Sequence, residues 1–268
     1  MLDIVPIPAL RDNYIWALHD QDHAVVVDPG EAAPVLSWLA ARQLNLAAIL
    51  CTHHHGDHIG GIAEIGEVYN VPVFAPHAED IPGATRQLAD GDAVNLPELG
   101  VSLAVLDVRG HTRGHIAYLL SGSAGTPGAV FCGDTLFGCG CGRIFEGTAA
   151  QLHRALQRLA ALPDDTRVCC AHEYTEANIR FALACEPDNA RLKQRAAEVH
   201  ALRAAGQPTL PSSIALEKAT NPFLRCREAA IARAARQSGG TGLDEAGGES
   251  SDLAVFTALR AWKDHFIS

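Results

Sequence analysis

The chain has 268 residues, 48% of them hydrophobic, enough to bury the core of one large domain or of one domain with an appendage. Its formal net charge of −10 excludes a broad basic surface of the kind that draws nucleic acid or anionic lipid, so the expected partner is a small molecule. No stretch is apolar for long enough to span a bilayer and the start lacks the basic and apolar regions of a signal peptide, so a cytoplasmic protein without membrane contact is expected.

Short apolar runs bounded by Gly, Pro and Asp predict buried strands over 24–27, 46–51, 71–75, 101–108, 116–120, 129–132 and 168–171. Helical spacing falls between them at 34–42 and 151–162. Ahead of the second helix Thr148 and Gln151 make a capping box, and Leu152, Leu156 and Leu159 share one face. This alternation is α/β. Beyond about residue 175 strand signals thin out and helical stretches follow at 176–186, 190–205, 225–237 and 253–266. The expected division is a domain over 1–173 and a smaller helical domain over 174–268. The Gly-, Ser- and Glu-rich segment 238–251 is expected to be a mobile loop. The eight cysteines include Cys169-Cys170 and Cys139-Gly140-Cys141 but no C-x-x-C, and most are expected to be reduced, buried small hydrophobes, a regulatory thiol being the alternative for one.

The segment His53-His54-His55-Gly56-Asp57-His58 follows the 46–51 strand and packs four potential metal ligands into one loop. Polar groups leaving water need partners, and a cation supplies one. Three later strands also end in good ligands: His111, Asp134 and His172. Strand ends on one edge of a sheet can converge, leaving an open face for substrate. His53, His55, Asp57, His58, His111, Asp134 and His172 exceed what one catalytic zinc takes from a protein, so two ions are implied. His53, His55 and His111 on one ion, Asp57, His58 and His172 on the other, and Asp134 between them would use all seven. Imidazole and carboxylate without thiolate suit Zn, Fe or Mn. A lone His at a strand end is more often a satisfied hydrogen-bonding residue, the reading adopted for His19, His23, His77, His153, His200 and His265. His54 would point away from its neighbours in extended backbone and is read as a bystander, and His115 as a hydrogen-bonding support. Asp28 is read equally as a turn former before Pro29-Gly30 and as a carboxylate fixing a ligand histidine.

Through Thr52-His53-His54-His55-Gly56-Asp57-His58, Gly110-His111-Thr112, Gly133-Asp134-Thr135 and His172 the chain resembles the metallo-β-lactamase superfamily. More narrowly it is similar to the glyoxalase II (hydroxyacylglutathione hydrolase) family. That likeness rests on Arg11-Asp12-Asn13-Tyr14, the run Cys139-Gly140-Cys141-Gly142-Arg143-Ile144-Phe145-Glu146-Gly147-Thr148, His172-Glu173-Tyr174-Thr175, Thr220-Asn221-Pro222-Phe223-Leu224-Arg225 and Arg260-Ala261-Trp262-Lys263-Asp264. The resemblance implies an αβ/βα sandwich of two mixed sheets with a smaller C-terminal helical domain. It implies hydrolysis of S-D-lactoylglutathione by a hydroxide held between two divalent ions, most readily zinc, with Asp57 and Asp134 in the catalytic centre. It also makes Arg143, Tyr174, Arg260 and Lys263 the glutathione-contacting residues. Where some members carry Lys and Tyr, this chain has Arg143 and Phe145, so a phenolic hydrogen bond is absent. Three rivals are a single-iron persulfide dioxygenase of the same superfamily, a nuclease or phosphodiesterase, and a non-enzymatic metal-binding module. The complete second ligand set, the acidic balance and the retention of all seven ligands argue against them in turn. A monomer is expected.

Overall fold

The computed structural model describes residues 2–123, 125–239 and 251–266. Strands β1 (Asp3–Ala9), β2 (Asn13–His19), β3 (His23–Val27), β4 (Asn45–Leu50), β5 (Val73–Pro76) and β6 (Arg86–Leu88) form one sheet in chain order. The first three are antiparallel and β3 to β6 run parallel. Next come β7 (Ala93–Leu96), β8 (Val101–Asp107), β9 (Ile116–Leu120), β10 (Ala129–Gly133), a hairpin of β11 (Leu136–Phe137) and β12 (Gly140–Cys141), then β13 (Arg167–Cys170) and β14 (Ser212–Ser213). The second sheet has the order β14-β13-β10-β9-β8-β7, in which only β10 and β13 are parallel.

Alternation along the strands divides the apolar residues between two cores. In β2, Tyr14, Trp16 and Leu18 face the second sheet's Val105, Tyr118 and Phe131 in one cluster. Ile15 and Ala17 point the other way, to a second cluster with Val35, Leu39, Ile62 and Ile65 of the covering helices. Those helices are α1 (Ala32–Arg42) and α3 (Ile62–Val68), with the single turn α2 (Gly56–Ile59) between them. On the far sheet α4 (Ala149–Ala160) buries Leu152, Leu156 and Leu159, and its capping box forms as expected. The two mixed sheets with outer helices are the expected sandwich.

The remaining helices are α5 (Thr175–Cys185), α6 (Ala190–Ala204), α7 (Ile214–Thr220), α8 (Ala229–Gln237) and α9 (Asp252–His265). Helix α8 starts four residues later than expected because Pro222–Leu224 forms a separate 3-10 turn, capped by the Asn221 side chain. Of the expected loop over 238–251, residues 240–250 lie outside the described residues. Six short or Pro-containing strands escape the periodicity reading: β1, β6, β7 and the two-residue β11, β12 and β14. Strand β1 carries Pro6 and Pro8 and sits at a sheet edge, where proline costs no ladder hydrogen bond, and β6 and β7 are too short to show a period. The fully apolar β2 was also passed over. All eight cysteines are free and buried. No helix among the described residues is long and apolar enough to cross a membrane.

Candidate metal centre

Two parallel pairs, β3 with β4 and β10 with β13, bring strand ends side by side, and the residues just beyond those ends carry the site. His53 follows β4, Asp134 follows β10 and His172 follows β13, while His111 lies four residues past β8. Asp57 and His58 were expected in a loop. Instead they lie on α2, where Asp57 occupies the first turn and favours the positive end of the backbone dipoles.

Three imidazole nitrogens converge: His53 Nε2 and His111 Nε2 each lie 3.1 Å from His55 Nδ1. A second group, Asp57, His58 and His172, places Asp57 Oδ2 3.6 Å from His58 Nε2 and 3.5 Å from His172 Nε2. Asp134 faces both groups. Its Oδ2 is 3.5 Å from His111 Nε2, and its Oδ1 is 3.5 Å from His58 Nε2 and 3.3 Å from His172 Nε2. All seven expected ligands are therefore together, and none of the six histidines set aside joins a ligand group among the described residues.

The donor set fits divalent ions. Buried His58 Nε2 and Asp134 Oδ1 have no hydrogen-bond partner within the protein, a costly state unless a cation occupies the space they face. Burial lowers the pKa values of His53 and His111, keeping both rings neutral with lone pairs available for a metal. His58 moves the other way: burial opposes its charge, but Asp134 and Asp28 raise its pKa above the ordinary imidazole value. The Asp134 carboxyl is held below the usual range; burial works against this and the neighbouring His58 and His172 outweigh it.

Supporting groups select which nitrogen faces inward. His53 Nδ1 lies 3.0 Å from the Thr52 hydroxyl, His111 Nδ1 2.7 Å from the Arg143 carbonyl, His58 Nδ1 3.1 Å from Asp28 and His172 Nδ1 3.0 Å from Asp12. Both readings of Asp28 are observed: it turns the chain at positive φ, with the Gly30 N–H donating to its carbonyl, and its carboxylate meets the expected ligand His58 and accepts from the Thr52 N–H and hydroxyl. His115 Nε2 accepts from the Asp134 N–H at 3.1 Å, as its supporting role requires. Asp12, Asn13, which donates to Asp57 Oδ2 at 3.1 Å, and Thr52 carry no assigned role in the sequence reading. Their only sequence signal was membership of quoted motifs. Gly133 turns the chain at φ +48°, and a Cβ there would lie 2.3 Å from Thr52 Oγ1; a Cβ at Gly142 would lie 1.9 Å from the Asp134 carbonyl. His54, read as a bystander to the seven, faces Glu79 and Glu146 with its two ring nitrogens.

Beside the seven expected ligands opens a cavity of about 310 Å³ that brings His111 and Asp134 together with Arg143, Tyr174, Arg260 and Lys263. All four expected substrate-contacting residues line it. A larger cavity of about 400 Å³, lined by Arg11, Tyr14, Glu173 and Arg203, includes none of the seven ligands. Asp264 Oδ1 accepts from Arg143 Nε at 3.1 Å and from Arg260 Nη2 at 3.0 Å, joining the two guanidinium groups. Buried Arg260 also donates to the Cys141 carbonyl, so it braces the hairpin as well as lining the cavity. Tyr174 stacks on His172 with ring centroids 4.6 Å apart. Lys263 has aromatic faces at 5.2 Å (Phe181) and 5.7 Å (Phe266).

A family profile for the metallo-beta-lactamase superfamily matches residues 10–172, and one for the hydroxyacylglutathione hydrolase C-terminus matches residues 173–266. A hydroxyacylglutathione hydrolase of Cupriavidus taiwanensis is 54% identical over 274 residues, covering 99% of this chain and all of that protein. The protein of the same name from Nitrosomonas europaea is 50% identical over 266 residues, covering 99% of this chain and 97% of the relative. Among solved structures, ETHE1 from Myxococcus xanthus superposes with a TM-score of 0.63 at 27% identity, covering 85% of this chain and 86% of that one.

Proposed function

Because the chain belongs to the hydroxyacylglutathione hydrolase family of the metallo-β-lactamase superfamily, we propose that its site cleaves S-D-lactoylglutathione to D-lactate and glutathione, the second step of methylglyoxal detoxification. The observation that carries this reading is the adjacency of the seven-ligand cluster and a cationic cavity that shares His111 and Asp134 with it. His53, His55 and His111 would hold one divalent ion and Asp57, His58 and His172 another, with Asp134 contributing to both; zinc is the preferred occupant, with iron or manganese able to replace it. Two such ions supply Lewis acidity, lowering the pKa of a water toward roughly 7 and polarising a carbonyl.

The protein's own groups do the rest. Asp57, tied through Oδ2 to Asn13, orients water with the oxygen it leaves free. Asp134 keeps its negative charge at neutral pH and balances the cations. A thiolate leaves readily, so no general acid is required at the sulfur. Arg143 and Lys263 hold the carboxylate end of the peptide, Arg260 supports Arg143 through Asp264, and Tyr174 forms a wall stacked on His172. In an acidic protein this local cluster of positive charge is what gathers an anionic substrate. We further assign catalysis to residues 1–173 and glutathione recognition largely to 174–268, in a monomer acting in the cytoplasm.

Purified protein should hydrolyse S-D-lactoylglutathione with release of D-lactate, and lose that activity after chelation. Oxygen uptake with glutathione persulfide and no thioester loss would instead establish a dioxygenase.

A further inference from the structure

His54 lies among ligands without joining the seven, yet its ring is held at both nitrogens. Nδ1 lies 2.9 Å from Glu79 Oε2 and Nε2 lies 3.1 Å from Glu146 Oε1. Glu79 is a fixed anchor: its side chain is buried and accepts from the Thr112 hydroxyl and, at 2.9 Å, from the Gly114 N–H. Glu146 belongs to the segment 143–147 between β12 and α4, which has no regular secondary structure of its own. The start of the segment is fixed by Arg143, whose carbonyl lies 2.7 Å from His111 Nδ1 and whose Nε donates to Asp264. Further along, the Phe145 and Glu146 N–H groups reach the His111 carbonyl at 3.2 and 3.3 Å and Arg113 reaches Glu146, so His54 is the contact that ties the Glu146 side chain to buried Glu79. Phe145 projects from it 61% exposed, its ring edge-on to His55 at 5.6 Å and to His111 at 5.3 Å. A large aromatic ring left this open beside two ligand imidazoles is placed to meet a bound molecule.

We propose that His54 is a positioning residue: by bridging buried Glu79 to Glu146 it holds segment 143–147, and with it Phe145, as the wall of the thioester site beside His55 and His111. The inference rests on the thioesterase reading and identifies what sets that wall. His54 acts on substrate fit and leaves ion binding to the seven ligands. A bridge whose His54 and Glu146 side chains are each 32% exposed is weak, so its loss should move substrate binding by about 2- to 5-fold.

Two variants separate the two ends of the bridge. His54→Asn retains an amide near Nδ1 for Glu79 but cannot reach Glu146, whereas His54→Gln extends an amide toward the Nε2 position. Hydrogen exchange at the 143–147 amides, metal content by elemental analysis, and kcat and KM for S-D-lactoylglutathione are measured on the full chain, together with Phe145→Ala and the double variant. The expected result for His54→Asn is faster exchange confined to 143–147, unchanged metal content and a KM raised about 2- to 5-fold, with much of the change reversed in His54→Gln. In the double variant the KM effects of His54→Asn and Phe145→Ala should not add, since both act through one wall. Unchanged exchange and KM in His54→Asn, additive effects, or equal metal loss in both His54 variants would overturn the proposal. A parent unable to cleave any glutathione thioester, but with His54→Asn still loosening 143–147, would overturn the thioesterase reading while upholding the bridge.

Discussion

Lys263 sits in the cavity against two aromatic faces, with no carboxylate paired to it among the described residues. Burial, then the nearby charges of Arg260 and Arg180, lower its pKa to about 8; the Cys185 and Cys141 thiols work weakly the other way. Only the protonated form attracts a carboxylate. KM for S-D-lactoylglutathione should therefore be lowest below pH 8 and rise as pH passes through about 8, while Lys263→Arg, charged throughout, should flatten that rise. A parallel rise in both proteins would assign the titration elsewhere. Lys263→Ala should raise KM by roughly 10-fold with kcat little changed, as expected for a lost charge-assisted hydrogen bond. Arg260 is a poorer probe than its motif suggests, because its contact with the Cys141 carbonyl ties binding to local structure. Asp134→Ala should lose metal and most of kcat together, read by elemental analysis and steady-state kinetics on one preparation; full metal content with normal kcat would remove Asp134 from the centre. The convergence of the seven expected ligands was legible because their donors cluster in sequence or follow apolar runs. Asp12, Thr52 and Glu79 were not: a lone carboxylate or hydroxyl carries no periodic signal, and although Thr52 adjoins the His53 it supports, Asp12 and Glu79 lie far along the chain from His172 and His54.

The β11–β12 hairpin gives the cavity Phe137 and Cys141, and it is held from the helical side. Fully buried Glu217 on α7 accepts from Arg195 Nη2 at 2.6 Å, from the Cys139 N–H at 2.8 Å and from Asn221 Nδ2 at 3.0 Å. Asn221 also donates to the Phe137 and Gly140 carbonyls. Such an ion pair is costly to form and more costly to break, because removing one member strands the other's charge away from water. Glu217→Ala should destabilise the fold by about 3–5 kcal/mol in urea unfolding, whereas a loss under about 1 kcal/mol would mean that Arg195 finds water or another partner. Helices α5 and α6 follow the spacing of their apolar residues. The anchoring role of Glu217 was hidden, since a glutamate in a short helix reads as a solvated charge until its partners in α6 and the hairpin are in place.

At the scale of the whole molecule, the sandwich was readable because a strand buried on both sides is a nearly unbroken apolar run, as in β4 and β10. The edge strand β1 and the two-residue β14, which extends the second sheet from within the helical region, lack such runs. The fold's main consequence is convergence. Ligands separated by up to 119 positions, from His53 to His172, meet at strand ends, and α9 returns to place Lys263 beside them. On the proposed function, all seven residues serve one two-ion site that hydrolyses a glutathione thioester. This is tested most directly by stripping the protein of metal, adding zinc back in steps, and recording bound metal and S-D-lactoylglutathione turnover on the same samples. Turnover should climb until about two equivalents are bound. Full turnover reached and held at a single bound equivalent would contradict the two-ion site.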